Sequence, residues 1–188
     1  MQKIFNFGIN DVKGSSTSRD YKLWVNILNR IHNDGRYNKN PSYRDCSVSE
    51  DFILFSNFRK WYNDQVGCDS CGFEIDKDLL SKGNKEYSPL NCILLPREIN
   101  SALRTRKNFR GCLPIGVSFC KRGKKYFAQL TLHSVHKHLG YFSDANSAFL
   151  AYKKIKELAI KELANKWQSQ IDPRAYDALM RYEVEITD

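Results

Sequence analysis

Apolar side chains recur at helical spacing in two stretches of the first 65 residues. The first stretch begins at Arg19 and ends at the turn-forming residues 33–35, and its expected buried positions are Tyr21, Trp24, Leu28 and Ile31. The second follows residues 47–50, Ser-Val-Ser-Glu, which fit a capping box, and its aromatic positions are Phe52, Phe55, Phe58, Trp61 and Tyr62. We therefore predict two helices that pack through aromatic side chains, preceded by a flexible arm over the Gly- and Ser-rich residues 1–17.

Short alternating segments replace the helical pattern after Gly67. Residues 72–76 and 91–95 predict two strands separated by a polar loop. Pro96 then opens a short helix that is expected to end near residue 103. This order of strand, loop, strand and helix is a ββα unit.

Residues 113–165 repeat strands and helix on a larger scale. Segments 115–119, 125–132 and 136–142 alternate between polar and apolar residues, so they predict a three-stranded antiparallel sheet. Ser143 is placed to cap the next helix, which is expected to cover the sheet, and a last short helix is predicted over 173–181. The fold class is therefore α+β, with an arm over 1–17, a helical and ββα domain over 18–103, a basic linker over 104–112 and a sheet-and-helix domain over 113–188.

Basic residues are concentrated in one part of the chain. The 188 residues include 30 Lys and Arg against 21 Asp and Glu, which gives a net charge of +9. No Asp or Glu occurs between Glu98 and Asp144, although this interval contains nine Lys and Arg residues. Clustered bases of one sign neutralise phosphates, so the pattern favours a nucleic acid as partner, with a solvated basic face as the alternative.

Hydropathy and cysteine usage indicate the setting in which the protein works. No run of 18 apolar residues and no signal-peptide pattern occurs, so we expect a cytoplasmic protein without a membrane partner, in a bacterial host if the chain is phage-encoded. The six cysteines are expected to stay reduced. Cys68 and Cys71 have the spacing of half a zinc site, but no second such pair follows, and a structural zinc is not expected.

The ββα segment carries a recognisable order of polar residues. Asp76 ends the first predicted strand, Asn91 begins the second, and Asn100 follows nine residues later on the helix. With the surrounding residues 73–78 and 88–100, this order resembles the ββα-metal core of homing-type HNH endonucleases, which are common among bacteriophage proteins. The resemblance implies that Asp76 and Asn100 hold one Mg²⁺ or Mn²⁺ ion at the scissile phosphate, and that Asn91 orients the general base.

Lys77 stands where the HNH family has its general-base histidine. A protonated ammonium cannot accept a proton but can stabilise phosphate charge, and Asp78 is the other candidate acceptor. Two hypotheses stay open. The chain is either a metal-dependent DNA endonuclease that nicks DNA unless two chains assemble, with Lys77, Asp78 and Asn91 as catalytic residues, or an inactive HNH-scaffold DNA-binding protein that acts as a regulator or adaptor.

A second resemblance covers residues 114–160. Segments 115–119 (Ile-Gly-Val-Ser-Phe), 125–132, 136–142 (His-Lys-His-Leu-Gly-Tyr-Phe) and 148–152 resemble the DNA-binding domain of the plant ethylene-response-factor, or Apetala-type, family. This resemblance implies that the sheet binds the major groove of double-stranded DNA. The implied contact residues are Ser118, Lys121, Arg122, Lys125, Tyr126, Gln129, Thr131 and Lys137. Further DNA contacts are expected from the other basic residues, which are Arg104, Arg106, Lys107, Arg110 and Lys124.

Overall fold

The computed structural model describes residues 2–32, 45–105, 111–132 and 135–188. The chain divides into two compact units: unit 1 is Met1–Leu95 with Gln170–Ala175, and unit 2 is Pro96–Ser169 with Tyr176–Asp188. The sequence-based boundary over 104–112 assigned the helix of the ββα segment to the first domain, whereas its contacts place it in unit 2. Residues 106–110 of the predicted linker lie outside the described residues.

Unit 1 combines two helices with short strand pairs. Its helices are α1 (Arg19–Ile31) and α2 (Phe55–Asn63). Its strands are β1 (Gln2–Ile4), β2 (Gly8–Asn10), β3 (Ser47–Val48), β4 (Phe73–Asp76), β5 (Glu86–Tyr87) and β6 (Ile93–Pro96). The strands pair as β1 with β2 antiparallel, β3 with β5 parallel, and β4 with β6.

The two predicted helices and their aromatic core are confirmed. Trp24, Phe52, Phe55 and Phe58 are completely buried, and the indole N–H of Trp24 donates to the carbonyl oxygen of Phe52 over 2.7 Å. Such rings contribute much of the buried apolar area of a small core, and the indole bond satisfies the polar atom that burial would otherwise leave unpaired.

The amino-terminal segment differs from the prediction. Residues 2–10 form the β1–β2 hairpin, and the amide of Ile9 donates to the carbonyl of Ile53 over 2.9 Å. A Cβ atom on Gly8 would lie 2.2 Å from Leu28 Cδ1, so only glycine permits this close approach to α1. The capping box also does not form, because Ser47 and Val48 are used as strand β3 and Ser49 Oγ is buried without a hydrogen-bond partner.

Unit 2 contains the predicted sheet and its covering helix. Its first helix is α3 (Arg97–Leu103), and the strands β7 (Val117–Cys120), β8 (Lys125–Leu132) and β9 (Val135–Phe142) form an antiparallel sheet in the order β7-β8-β9. Helix α4 (Ala145–Trp167) covers one face of this sheet, and α5 (Pro173–Met180) lies near the carboxyl end of the chain. The prediction of an α+β fold with a three-stranded antiparallel sheet on a helix is confirmed.

The packing of α4 on the sheet depends on small and apolar side chains. The core cluster includes Val117, Ala128 and Leu130 from the sheet, with Ala148 and Phe149 from α4. The helix begins one residue later than predicted, because the carboxylate of Asp144 and not Ser143 accepts the amide of Ser147, over 2.8 Å. No described helix is both long enough and apolar enough to cross a membrane.

Candidate functional site

Asp76 lies at the end of β4, where its carboxylate fixes a tight turn. Its Oδ1 accepts the backbone amides of Asp78, over 2.9 Å, and Leu79, over 2.7 Å. This is the local pattern by which Asp side chains close turns. Burial raises the pKa of Asp76, although the two amide bonds act in the opposite direction. One oxygen of the side chain is therefore held by the turn.

Lys77 is buried, and its ammonium group is engaged inside the loop. The residue is only 6% exposed, and its Nζ donates to Asp78 Oδ1 over 2.7 Å and to the carbonyl oxygen of Asn84 over 2.6 Å. The same nitrogen lies 5.7 Å from the centroid of the Tyr87 ring. The amine of Lys77 is therefore held between these two oxygen atoms inside the loop.

Asn84 connects the predicted site residues, and the sequence analysis did not assign it a role. Its Nδ2 donates to the carbonyl oxygens of Lys77, over 2.9 Å, and Glu86, over 2.6 Å. Its Oδ1 accepts the amide of Glu86 over 3.1 Å and Nδ2 of Asn91 over 3.3 Å. Asn91 is thus linked to the main chain of Lys77 through Asn84. The Gly-Asn dipeptide at 83–84 indicates only a turn, so the sequence contains no signal for this central position.

Replacing Asn84 with alanine is expected to lower the free energy of unfolding by about 1–3 kcal/mol, because the carbonyl of Lys77 and the amide of Glu86 lose their partners. Denaturant unfolding followed by circular dichroism measures the change. Asn57→Ala is the control, because it makes the same chemical change on the exposed side of α2 in unit 1. Its free energy of unfolding should stay within about 0.5 kcal/mol of that of the parent protein. Equal effects of the two substitutions would contradict the central role of Asn84.

The two predicted metal ligands lie on different elements. Asp76 ends β4 of unit 1, and Asn100 lies partly buried on α3 of unit 2. Among the described residues, no group of three or more His, Cys, Asp or Glu side chains is placed to hold a metal ion. The carboxylate of Asp76 by itself has the ligand chemistry of Mg²⁺ or Mn²⁺, since such ions are often held by one or two carboxylates and keep several waters.

The cysteines that were considered for zinc differ in their surroundings. Cys71 is exposed, and Cys68 is half-buried with its Sγ 3.6 Å from the carbonyl oxygen of Asn63. Cys46 and Cys92 are buried, and burial raises the pKa of the Cys92 thiol to about 12. Burial therefore disfavours the thiolate form of Cys92.

The second candidate site is the outer face of the β7-β8-β9 sheet, which we define as the side opposite α4. Because side chains alternate along a strand, the neighbours of buried Ala128 and Leu130 point to this face. They include Lys125, Gln129 and Thr131 on β8, and the pairing of the strands places Ser118 beside them. Gln129 Nε2 donates to Ser118 Oγ over 3.3 Å, so these two predicted contact residues touch.

Tyr126 and Lys137 do not lie on the outer face, in contrast to the predicted contact surface. Tyr126 packs against the core cluster on the α4 side, and Lys137 is paired with Leu130, so it shares that side although it is exposed. The register of β8 and β9 shifts between Ala128 and Gln129. This bulge, which sequence alternation alone cannot reveal, decides which residues of β9 point outward.

Aromatic residues that sequence reasoning missed share the outer face with the polar residues. Phe127 is paired with Tyr141, and the pairing of Gln129 with His138 places that imidazole on the same side. The ring centroid of His138 lies 5.7 Å from that of Phe127 and 4.8 Å from that of Tyr141. The position of Phe127 directly before buried Ala128 was the signal that could have revealed it.

The basic side chains cluster at one end of this face. Lys121, Arg122, Lys124 and Lys125 are all exposed in and beside the β7–β8 turn. Arg104 is exposed directly after α3. The remaining predicted contact residues, Arg106, Lys107 and Arg110, lie outside the described residues.

No family model matches this chain, and the comparisons with curated proteins and with solved structures also give no match.

Proposed function

We propose that this protein binds double-stranded DNA through the outer face of the β7-β8-β9 sheet and the adjoining β7–β8 turn. The observation that carries the proposal is a group of four exposed basic residues in and beside that turn, namely Lys121, Arg122, Lys124 and Lys125. They lie within residues 99–143, which contain no Asp or Glu. Phosphates are the complementary partner of such a surface.

The polar residues of the outer face indicate how the sheet would lie against DNA. A small sheet or a two-stranded ribbon fits the major groove, which is about 12 Å wide. Ser118, Gln129 and Thr131 offer hydroxyl and amide groups to the edges of the DNA bases. The lysine and arginine side chains of the turn contact phosphates. The resemblance of residues 114–160 to the Apetala-type domain supports the same orientation.

Salt titration of duplex binding tests this proposal. We assume that the four basic residues of the turn contact phosphates. A plot of the logarithm of the binding constant against the logarithm of the salt concentration should then have a slope of about −3 to −4. Fluorescence anisotropy of a labelled duplex measures the slope. A slope near zero, or no binding at low salt, would contradict the proposal.

A second candidate function is metal-dependent hydrolysis of DNA at Asp76. The specific observation in its favour is the hydrogen-bonded chain from Asn91 through Asn84 to the main chain of Lys77, which connects the predicted orienting residue to the loop that follows Asp76. Asp76 would hold the ion, and a bound divalent ion supplies charge stabilisation at a scissile phosphate.

The proton acceptor for this second function would be Asp78. The ammonium of Lys77 is buried and bonded to Asp78 Oδ1, so it holds this carboxylate in place without reaching solvent itself. The side chain of Asp78 is 53% exposed and is accessible to an attacking water. A DNA-binding protein without catalysis is the alternative that the cleavage experiment in the Discussion distinguishes.

A further inference from the structure

Three rings form a connected cluster on the outer face of the sheet, in which Phe127 is half-buried and His138 and Tyr141 are exposed. Phe127 on the central strand and His138 on β9 are nearly parallel, with an interplanar angle of 15°. Tyr141 completes the cluster, 5.9 Å from Phe127 between ring centroids and 60% exposed. The amide of Gly140 donates to Nδ1 of His138 over 3.2 Å, which fixes the orientation of the imidazole.

This cluster is not part of the apolar core of unit 2. The core lies on the opposite side of the sheet, where Ala128 and Leu130 pack with α4. Large rings that remain exposed on a soluble surface mark interaction sites more often than isolated apolar residues do. The rings of Phe127, His138 and Tyr141 therefore fit a partner with flat, polarisable surfaces.

Charge on the same face identifies the chemistry of that partner. Lys125 is exposed two residues before Phe127 on the same side of β8, and the three other basic residues of the β7–β8 turn come directly before Lys125 in the chain. Rings beside clustered cations match a nucleic-acid strand, because its bases stack on aromatic side chains and its phosphates pair with cations. An acidic protein would use the charges but not the stacked rings.

We propose that Phe127, His138 and Tyr141 form a stacking platform for unpaired DNA bases. Inside a duplex each base face is covered by its neighbours, so only base edges and phosphates can contact the sheet. Bases in a bubble, gap or single strand expose their faces to the rings. This inference rests on the proposed DNA binding and specifies the substrate as DNA that contains unpaired nucleotides.

The test compares three labelled oligonucleotides of one sequence: a blunt duplex, the same duplex with a central bubble, and the single strand. The parent protein should bind the bubble and the single strand more tightly than the duplex. Phe127→Leu and Tyr141→Leu should each weaken binding to unpaired DNA about tenfold, and should weaken it more than they weaken binding to the duplex. Tyr141→Phe retains the ring and should keep the parent affinity for the bubble.

Phe119→Leu is the matched control, because Phe119 is 43% exposed and its ring contacts Tyr126, on the other side of the same sheet. It should leave the binding of all three oligonucleotides unchanged. Thermal unfolding shows whether each variant folds, and exposed Tyr141 keeps the test valid if Phe127→Leu is destabilised.

The outcomes separate this inference from the proposed function. Equal affinity for duplex and bubble, or unchanged bubble binding in folded Tyr141→Leu, would overturn the stacking platform and leave duplex binding intact. Failure of the parent protein to bind any of the three oligonucleotides would overturn both. Tighter binding of an RNA strand than of the DNA strand of the same sequence would overturn the assignment to DNA.

Discussion

Replacing Lys121, Arg122 and Lys125 together with glutamine is expected to weaken duplex binding by about 100-fold near physiological salt. Each exposed lysine or arginine that neutralises a phosphate releases a condensed counterion, which favours binding. The triple variant loses three such contacts and the counterion release that accompanies each of them. The slope of the salt titration should therefore become less steep by about 3. Fluorescence anisotropy at several salt concentrations measures the affinity and the slope on the same samples.

A control of equal charge separates local contacts from the effect of net charge. Lys154 and Lys161 on α4, with Arg181 just after α5, provide two lysines and one arginine of unit 2 away from the outer face. Their replacement by glutamine should change the affinity by only a fewfold. An equal loss in both triple variants would indicate that the whole protein attracts DNA without a defined face.

The fold of unit 2 could be predicted because its pattern is local. Alternation along β8 identifies Ala128 and Leu130 as inward residues, and the spacing of Ala148 and Phe149 gives α4 an apolar face. The bulge between β8 and β9 is different, because it depends on how two strands pair. Sequence reasoning therefore placed Lys137 on the wrong side and overlooked His138.

The candidate site in unit 1 was only partly predictable for a similar reason. The positions of Asp76 at a strand end and Asn91 just before β6 follow from local patterns. The burial of Lys77 depends on Asn84, seven residues later in the chain. The carbonyl oxygen of Asn84 accepts from Lys77 Nζ, and the side-chain amide of Asn84 donates to the carbonyl oxygen of Lys77. The sequence shows a lysine where a general-base histidine was expected. Only the folded loop shows that Lys77 Nζ is hydrogen-bonded to Asp78 and Asn84.

Cleavage of supercoiled plasmid in the presence of Mg²⁺ or Mn²⁺ is the second large expected effect. If Asp76 holds the ion, Asp76→Ala should lower the cleavage rate by about 1000-fold, because the lost charge stabilisation amounts to several kcal/mol. Asp78→Asn should lower it strongly as well, since an amide cannot accept the proton of the attacking water. Gel electrophoresis of the nicked product measures the rates.

The controls for cleavage must keep DNA binding and folding intact. Asp69→Asn changes an exposed carboxylate of the same unit and should cut like the parent. Lys77→Met removes the ammonium that holds Asp78 and retains an apolar chain in the buried position, so a slower rate with unchanged DNA affinity would identify Lys77 as a positioning residue. A metal-loaded parent protein that binds the plasmid and leaves it uncut would contradict hydrolysis at Asp76. The turn and the buried ion pair would then have a structural role in a DNA-binding protein.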